Sequence, residues 1–412
     1  MRDRSSEQPV VGLDIGSHTT KGVVGRVSQG QIRLLAAHAE PTVGVTRGRV
    51  TDLEGCAATV NKVLRQLSIT CGSEITDVHL QICTPDTCAI SRTGFVEIVR
   101  ESQQIKMADL REARRRAERL PLLGSDAKQL EIIQSIPQGF FVDDIRVQDP
   151  LQLAGSRLAA QAFVIAEARA NMMNVYNALR KAGLRTIQGM WFGPLAAAEM
   201  ALTPEEQAMG AVLLDIGYEK TAALVVSGGR LRGFHCFPVG VRSVIEDIAT
   251  CCSVPREQAL ALLLEHGAAS FLSVPTQRLA ERIKVNFDTT SRQIPVKMLT
   301  EIIFDRLDET FTLVRNGLNG GNYRNLRVST VVLCGGGSKI PGVGETATGV
   351  FGCSTFRIFL PKVEGPSIAS SAEFATVLGL LRLASDDRTT IRSRYASDHL
   401  LARIGQLFRE IC

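Results

Sequence analysis

Val10-Val11-Gly12-Leu13-Asp14-Ile15-Gly16-Ser17-His18-Thr19-Thr20-Lys21-Gly22-Val23-Val24-Gly25-Arg26-Val27 is the stretch on which the fold turns. An apolar strand ends in Asp14-Ile15-Gly16, and a polar turn follows through Lys21. A second strand runs from Gly22 to Val27, and Gln29-Gly30 turns the chain into a third. The same punctuation returns about two hundred residues later. Ala211 to Leu214 leads to Asp215-Ile216-Gly217, Tyr218-Glu219-Lys220 makes the turn, Thr221 to Val226 returns, and Gly228-Gly229 opens a third strand. Chance supplies one such hairpin, but two in matching order imply two related, paired domains.

The residues at the two bends suit an anion. Glycine lets a tight turn bring backbone N–H groups against a phosphate oxygen, and Ser17, Thr19, Thr20, Lys21 and Lys220 add donors around Gly16 and Gly217. Asp14 and Asp215 stand at strand ends, where a carboxylate orients a hydrated magnesium ion. A third piece, Val331 to Gly342, is an apolar strand followed by Gly335-Gly336-Gly337-Ser338, where a flat ring or a sugar fits against bare backbone. Alone it is also what a plain strand-to-helix turn looks like; behind two Asp-Ile-Gly hairpins it completes an ATP site. Gly193-Pro194-Leu195-Ala196-Ala197-Ala198-Glu199 reads either as a close-packed helix at a hinge between the halves or as an alanine-rich core helix.

These motifs in this order resemble the superfamily of actin, sugar kinases and heat-shock chaperones, and within it the FtsA family of bacterial cell-division proteins. Gly44-Val45-Thr46-Arg47-Gly48-Arg49-Val50 and the helix beyond Asp52 are similar to the start of that family's first-domain helix. Ile136-Pro137-Gln138, Asp149-Pro150-Leu151 and Ala154 to Leu158 resemble the end of its inserted subdomain. The resemblance covers nearly the whole chain. It implies an α/β, actin-like fold: a duplicated, ribonuclease H-like pair of domains with an inserted alpha+beta subdomain. Residues 9–85 with 168–202 then form subdomain 1A, 86–167 the insert 1C, 203–240 with 328–384 subdomain 2A, and 241–327 subdomain 2B. Residues 385–412 are a linker and an amphipathic helix.

Within the insert, the pattern predicts a strand over Phe95 to Val99, a helix over Met107 to Leu120, and strands around Leu130 to Ser135 and Arg157 to Ile165. Arg111, Arg114, Arg115, Arg116 and Arg119 crowd the polar face of that helix. They read as a solvated surface or, as the resemblance implies, a subunit contact.

Three departures from the family's pattern fall on the nucleotide site. Tyr218, Glu219 and Lys220 stand where glycine, glycine and threonine are usual, and Ala222 replaces an aspartate. Leu260 and Leu263 replace the Glu and Lys aimed at ribose and base, and Cys334 replaces a threonine. Bulk and a repelling carboxylate at the phosphate approach predict weak ATP binding and at most a weak ATPase, with no catalytic residue assigned.

Composition bounds the rest. At 412 residues and 45% hydrophobic, the chain has the makings of several cores. Its +5 charge, from 47 basic and 42 acidic side chains, is too mixed to argue for nucleic acid. Ten scattered cysteines without a C-x-x-C suit a reducing cytosol, and no metal site of their own is expected. Cys251 and Cys252 read as buried packing residues. Neither a secretory signal nor a spanning run is evident, so the protein is expected neither to leave the cell nor to cross the bilayer; the resemblance implies a peripheral place at the cytoplasmic face of the inner membrane.

The tail supplies the binding element. On a helix, Leu400, Leu401, Ile404, Leu407, Phe408 and Ile411 fall within an arc of roughly 120°, with Arg403, Gln406, Arg409 and Glu410 opposite. Such a stripe lies in a membrane surface or docks on its own domain. The resemblance implies the former, together with binding of the FtsZ carboxy-terminal peptide on the helix Thr300 to Arg315 through Arg306 and Glu309. It also implies self-association into filaments and recruitment of other division proteins to the septum. Two other readings share the hairpins: a PilM-like scaffold of type IV pilus assembly, and a sugar-kinase-type enzyme.

Overall fold

The structure, a computed structural model, describes residues 9–28, 30–119, 130–287, 290–319, 328–353 and 355–387. Val10–Ile15 and Thr19–Ser28 pair antiparallel, with Asp14 opposite Lys21 and Ile15 opposite Thr20. Ala211–Ile216 and Thr221–Ser227 repeat the pairing residue for residue, with Asp215 opposite Ala222 and Ile216 opposite Thr221. The offset, 215 less 14, is 201 residues, and it holds beyond the hairpin. Against the third strand the register slips between Val24 and Gly25 in one copy and between Val225 and Val226 in the other. A shared bulge adds the same local twist to both sheets.

Each hairpin sits inside a five-stranded sheet of the same order. Gln31–Pro41 or Arg230–Phe237 extends it antiparallel, and two parallel strands complete the other side: Asp77–Ile82 and Thr186–Phe192 in the first sheet, Thr330–Cys334 and Thr355–Ile358 in the second. Parallel neighbours need a crossover, and helices supply it. Leu53–Cys71 starts where the Asp52 side chain accepts from the Glu54 N–H and stops at Gly72, in the left-handed region at φ 67°. It lies so close to the sheet that a Cβ on Gly22 would meet Val63 and Leu67 side chains at 2.7 Å.

The insert leaves the first sheet after Asp77–Ile82 and forms a separate antiparallel sheet in the order Cys88–Glu97, Arg157–Ala168, Leu130–Val142, Ile145–Val147. Its first strand is displaced from the predicted Phe95 to Val99: it starts at Cys88 and ends at Glu97, and Val99 is exposed. The alternation ran past the strand's end because Ile98 is still buried in the insert's core with Val96 and Leu158, its N–H held by the Ser156 carbonyl at 2.7 Å. Helix Met107–Arg119 crosses the sheet on Leu110, Ala113 and Ala117; Leu120 lies outside the described residues. Where the insert leaves and rejoins, the fully buried Glu167 carboxylate accepts from Thr84 at 3.0 Å and from Asn171 at 2.8 Å, and Thr87 also donates to it. A buried carboxylate without such donors is costly, so this cluster fixes the junction.

The second half carries helices Val241–Cys252 and Arg256–His266, the hairpin of Arg282–Phe287 with Thr290–Pro295, and helix Val296–Asn319. The last is longer than Thr300 to Arg315, because Val296, Leu299, Ile303, Leu307, Phe311, Val314 and Leu318 form one buried stripe along its whole length.

The two halves meet through small residues. Gly193–Ala201, buried from Gly193 to Ala198, crosses Ala375–Asp387, and a Cβ on Gly379 would collide with the Ala196 carbonyl. Backbones in this close contact make the Gly193 segment a buried helix packed between the halves. Overpacking of this kind costs about 1–3 kcal/mol, so Gly379→Ala is expected to lower the thermal midpoint by several degrees in a calorimetric scan; an unchanged midpoint would contradict the close crossing.

Candidate functional site

The repeated hairpins point their bends at one cleft of about 510 Å³ between the halves, a size usual for a small-molecule site. Asp14, Gly16, Ser17, Thr19 and Lys21 line it from one side, Asp215, Gly217 and Lys220 from the other, and Gly335, Gly336 and Gly337 from a third. Thr20 and Ser338 do not line it. Thr20 lies on the opposite face of its strand from Thr19 and Lys21, buried and sharing a 2.8 Å hydrogen bond with Thr42. Ser338 turns inward and donates to the Gly335 carbonyl at 2.7 Å, which ties the glycine bend shut.

The two aspartates face each other. Asp14 accepts from Gln81 at 2.8 Å and from Lys21 at 3.5 Å. Burial, and then the Asp14 charge, push the Asp215 carboxyl up, against the pull of Lys220, Lys21 and a hydrogen bond from Thr376. Gly335, at φ 80°, is pressed onto the Asp215 carboxylate and leaves no space for a side chain. On the far wall, burial opposes ionisation of Glu373, yet Lys339 at 3.1 Å, Lys21 and the Ser371 hydroxyl hold its carboxyl below the usual range.

The three unusual residues of the second bend each reach the opposite half. Tyr218 stacks on His18 with ring centroids 4.5 Å apart. Glu219, expected to repel a phosphate, has its carboxylate taken by the Arg47 N–H at 2.6 Å and by Arg242. Lys220 donates to the Cys83 carbonyl. Burial would push its ammonium down, but interaction with the Cys83 and Cys236 sulfurs and with the Asp215 and Asp14 carboxylates outweighs that and holds it up. The Arg47-Gly48 turn, with both residues at positive φ (51° and 79°), presents these contacts, and the Gly48 N–H reaches Ser17 Oγ at 3.0 Å. Cys83 and Cys236 also meet across the halves: their hydrogen bond raises the Cys83 thiol and lowers that of Cys236.

The remaining wall is apolar. Val241, Ile245, Leu260, Leu263 and Leu264 face the cleft. Cys334 stands behind the glycine bend, fully buried, and burial raises its thiol well above the ordinary range.

Comparison with known proteins joins this geometry to a family. The family model described as "Cell division protein FtsA" matches residues 212–379, and that described as "SHS2 domain inserted in FTSA" matches residues 89–166. The FtsA of Neisseria meningitidis is 25% identical over 407 residues, 95% of this chain and 96% of that one. This is an FtsA-like protein. Among solved structures, the PilM-PilN type IV pilus biogenesis complex superposes with a TM-score of 0.63 at 20% identity over 91% of this chain and 98% of its own. MreB5 of Spiroplasma citri bound to ADP does so at 0.53 and 11%, covering 93% of this chain and 99% of its own. At these identities the two structures speak for the fold alone, and that fold is actin-like.

Arg306 and Glu309 of this FtsA-like chain do not line the cleft. Arg306, on helix Val296–Asn319, pairs with Asp247 at 3.0 Å and with Glu309 at 2.6 Å. Leu400, Leu401, Ile404, Leu407, Phe408 and Ile411 lie outside the described residues. Among the described residues no helix is long and apolar enough to cross a membrane. Cys252 is buried, whereas Cys251 is exposed and so is not a packing residue. Sequence reasoning missed Gln81, Cys83, Glu373 and Thr376, which come to the cleft from strand and helix ends that carry no glycine signature.

Glu219→Gly restores the family's residue and removes a carboxylate bonded from both halves. A hydrogen bond to a charged group is worth about 1.5–3 kcal/mol, so amide exchange at Arg47 is expected to quicken by roughly ten- to a hundredfold. Unchanged protection at Arg47 would mean the contact does not hold the halves together.

Proposed function

We propose that this FtsA-like chain is a membrane tether for FtsZ polymers at the division septum, built on a cleft that binds adenine nucleotide weakly. The observation that carries the reading is the pair of facing aspartate–glycine bends around one cleft in a chain matched by both FtsA family models. ATP is the expected ligand: its phosphates would lie against Gly16, Gly217 and the hydroxyls of Ser17 and Thr19, and its sugar against Gly335 to Gly337. Tyr218 and Glu219, bulky and committed to contacts across the halves, crowd the phosphate approach, which is why binding is weak and turnover slight. Magnesium is the part of the expectation that the site's charges favour least, because Lys21 and Lys220 already face the two carboxylates.

The tether itself rests on the tail and on one helix. The stripe Leu400 to Ile411 would lie in the cytoplasmic surface of the inner membrane, with affinity multiplied when many copies assemble into filaments. The FtsZ tail peptide would be received on helix Val296–Asn319 around Arg306 and Glu309, in competition with the Asp247 pairing. Later division proteins would join the assembled form. A PilM-like scaffold is the second reading, favoured by the structural likeness to the PilM-PilN complex. A sugar-kinase-type enzyme is less well supported, since it needs the second bend free for phosphate chemistry.

Liposome flotation with and without residues 400–412 separates the first two readings. The full chain is expected to float with anionic vesicles, the truncated one to sink, and FtsZ tail peptide to co-float only with the full chain. Arg306→Ala is expected to abolish peptide co-flotation and leave vesicle binding intact. Membrane binding unaffected by the truncation sinks the tether. For the nucleotide, calorimetry in magnesium buffer is expected to give weak binding; micromolar affinity with steady turnover overturns the weak-site reading.

A further inference from the structure

Four carboxylates line the cleft, those of Asp14, Asp215, Glu219 and Glu373, and each has a cation of the chain itself. Asp14 has Lys21 at 3.5 Å, Glu373 has Lys339 at 3.1 Å, and Glu219 has Arg242. Asp215 has Lys220 within electrostatic reach. Lys220 is held in position, because its ammonium donates to the Cys83 carbonyl of the opposite half and lies beside Gly48, where a Cβ would stand 3.2 Å from Nζ. Swinging clear when a ligand enters would cost it this hydrogen bond across the halves.

Magnesium suits this donor set poorly. The ion demands near-octahedral oxygen coordination, and the oxygens on offer are engaged: Asp14 by Gln81 at 2.8 Å and by Lys21, Asp215 by Thr376 and the packed Gly335 backbone. A divalent ion entering between the carboxylates would also meet two ammonium groups of like charge. In a clamp of bare carboxylates the ion reconciles them with the phosphates they repel. Here chain cations already neutralise them.

We propose that the Lys220 ammonium supplies the positive charge that a divalent ion brings to a phosphate clamp, so that this cleft takes nucleotide phosphates without magnesium. The proposal rests on the nucleotide reading of the cleft. It assigns to the lysine of the second bend a specificity role: the ligand class is the metal-free nucleoside polyphosphate, with lysine in place of a metal cofactor.

The test is calorimetry of the full chain with ATP in EDTA and in magnesium, beside Lys220→Thr, which restores the family's residue. The wild type is expected to bind at least as tightly in EDTA as in magnesium. Lys220→Thr is expected to weaken in EDTA by about tenfold, the scale of one partly screened charge contact, and to recover when magnesium is added. Paramagnetic resonance of manganese(II) gives a second readout without nucleotide: the free-ion signal should be undiminished by the wild type and depleted by Lys220→Thr. Binding by the wild type only in magnesium overturns the role of Lys220 and leaves the nucleotide reading standing. No binding in either buffer overturns both. Should Lys220→Thr fail to fold, the wild-type comparison still decides.

Discussion

Two glycines without room for a side chain govern the molecule. A Cβ on Gly16 would stand 2.8 Å from the Thr19 carbonyl oxygen, and one on Gly217 would stand 2.8 Å from that of Lys220. In each copy the four-residue bend closes on itself so tightly that the strand before it and the strand after it keep register to the last pair, Ile15 with Thr20 and Ile216 with Thr221. That register carries the aspartate two residues before the glycine to the mouth of the sheet. Doing this twice, in sheets of the same order, is what makes a cleft with carboxylates on both sides; the insert, the small hairpin and the long helix are attached around it.

Because the geometry is set by backbone and glycine, the three side chains after each glycine are free to diverge. Ser17, His18 and Thr19 stay short around the first bend, while Tyr218, Glu219 and Lys220 reach over to His18, Arg47 and Cys83. The second bend has exchanged ligand donors for contacts between halves. Such contacts lower the cost of closure in the absence of ligand, which by itself favours a ligand of the closed form; on the nucleotide reading, what weakens binding is the bulk and the lost donors at the second bend.

The duplication was legible in the sequence because its markers are compact: Asp-Ile-Gly followed by a polar turn, twice, and three glycines after an apolar strand. What the sequence hid is what depends on the third dimension. Thr20 sits among polar neighbours in the turn, and only the pleat, which puts Thr19 and Lys21 on the cleft side, sends it to Thr42. Gln81 and Thr376 are nearly three hundred residues apart yet hold the two facing aspartates; neither belongs to a motif. Glu219 looked like a source of repulsion because its partners, the Arg47 N–H and Arg242, are brought to it by folding. The insert's first strand was misjudged at both ends, since Val99 continues the alternation without continuing the ladder.

The apolar wall completes the argument about what such a cleft recognises. Where Leu260, Leu263 and Leu264 face it, an aromatic ring loses water and gains dispersion contacts but meets no donor or acceptor from those side chains. Hydrophobic walls discriminate weakly among rings of similar shape, because rejecting the wrong one requires a buried polar group left unpaired. Selectivity on the nucleotide reading therefore falls to the opposite end, where glycine N–H groups, Lys21 and Lys220 can count charges. On that reading the cleft would sense how much phosphate a ligand carries more sharply than which base it carries, and the residue proposed to tip this balance is Lys220, standing where a small hydroxyl would leave room for an ion.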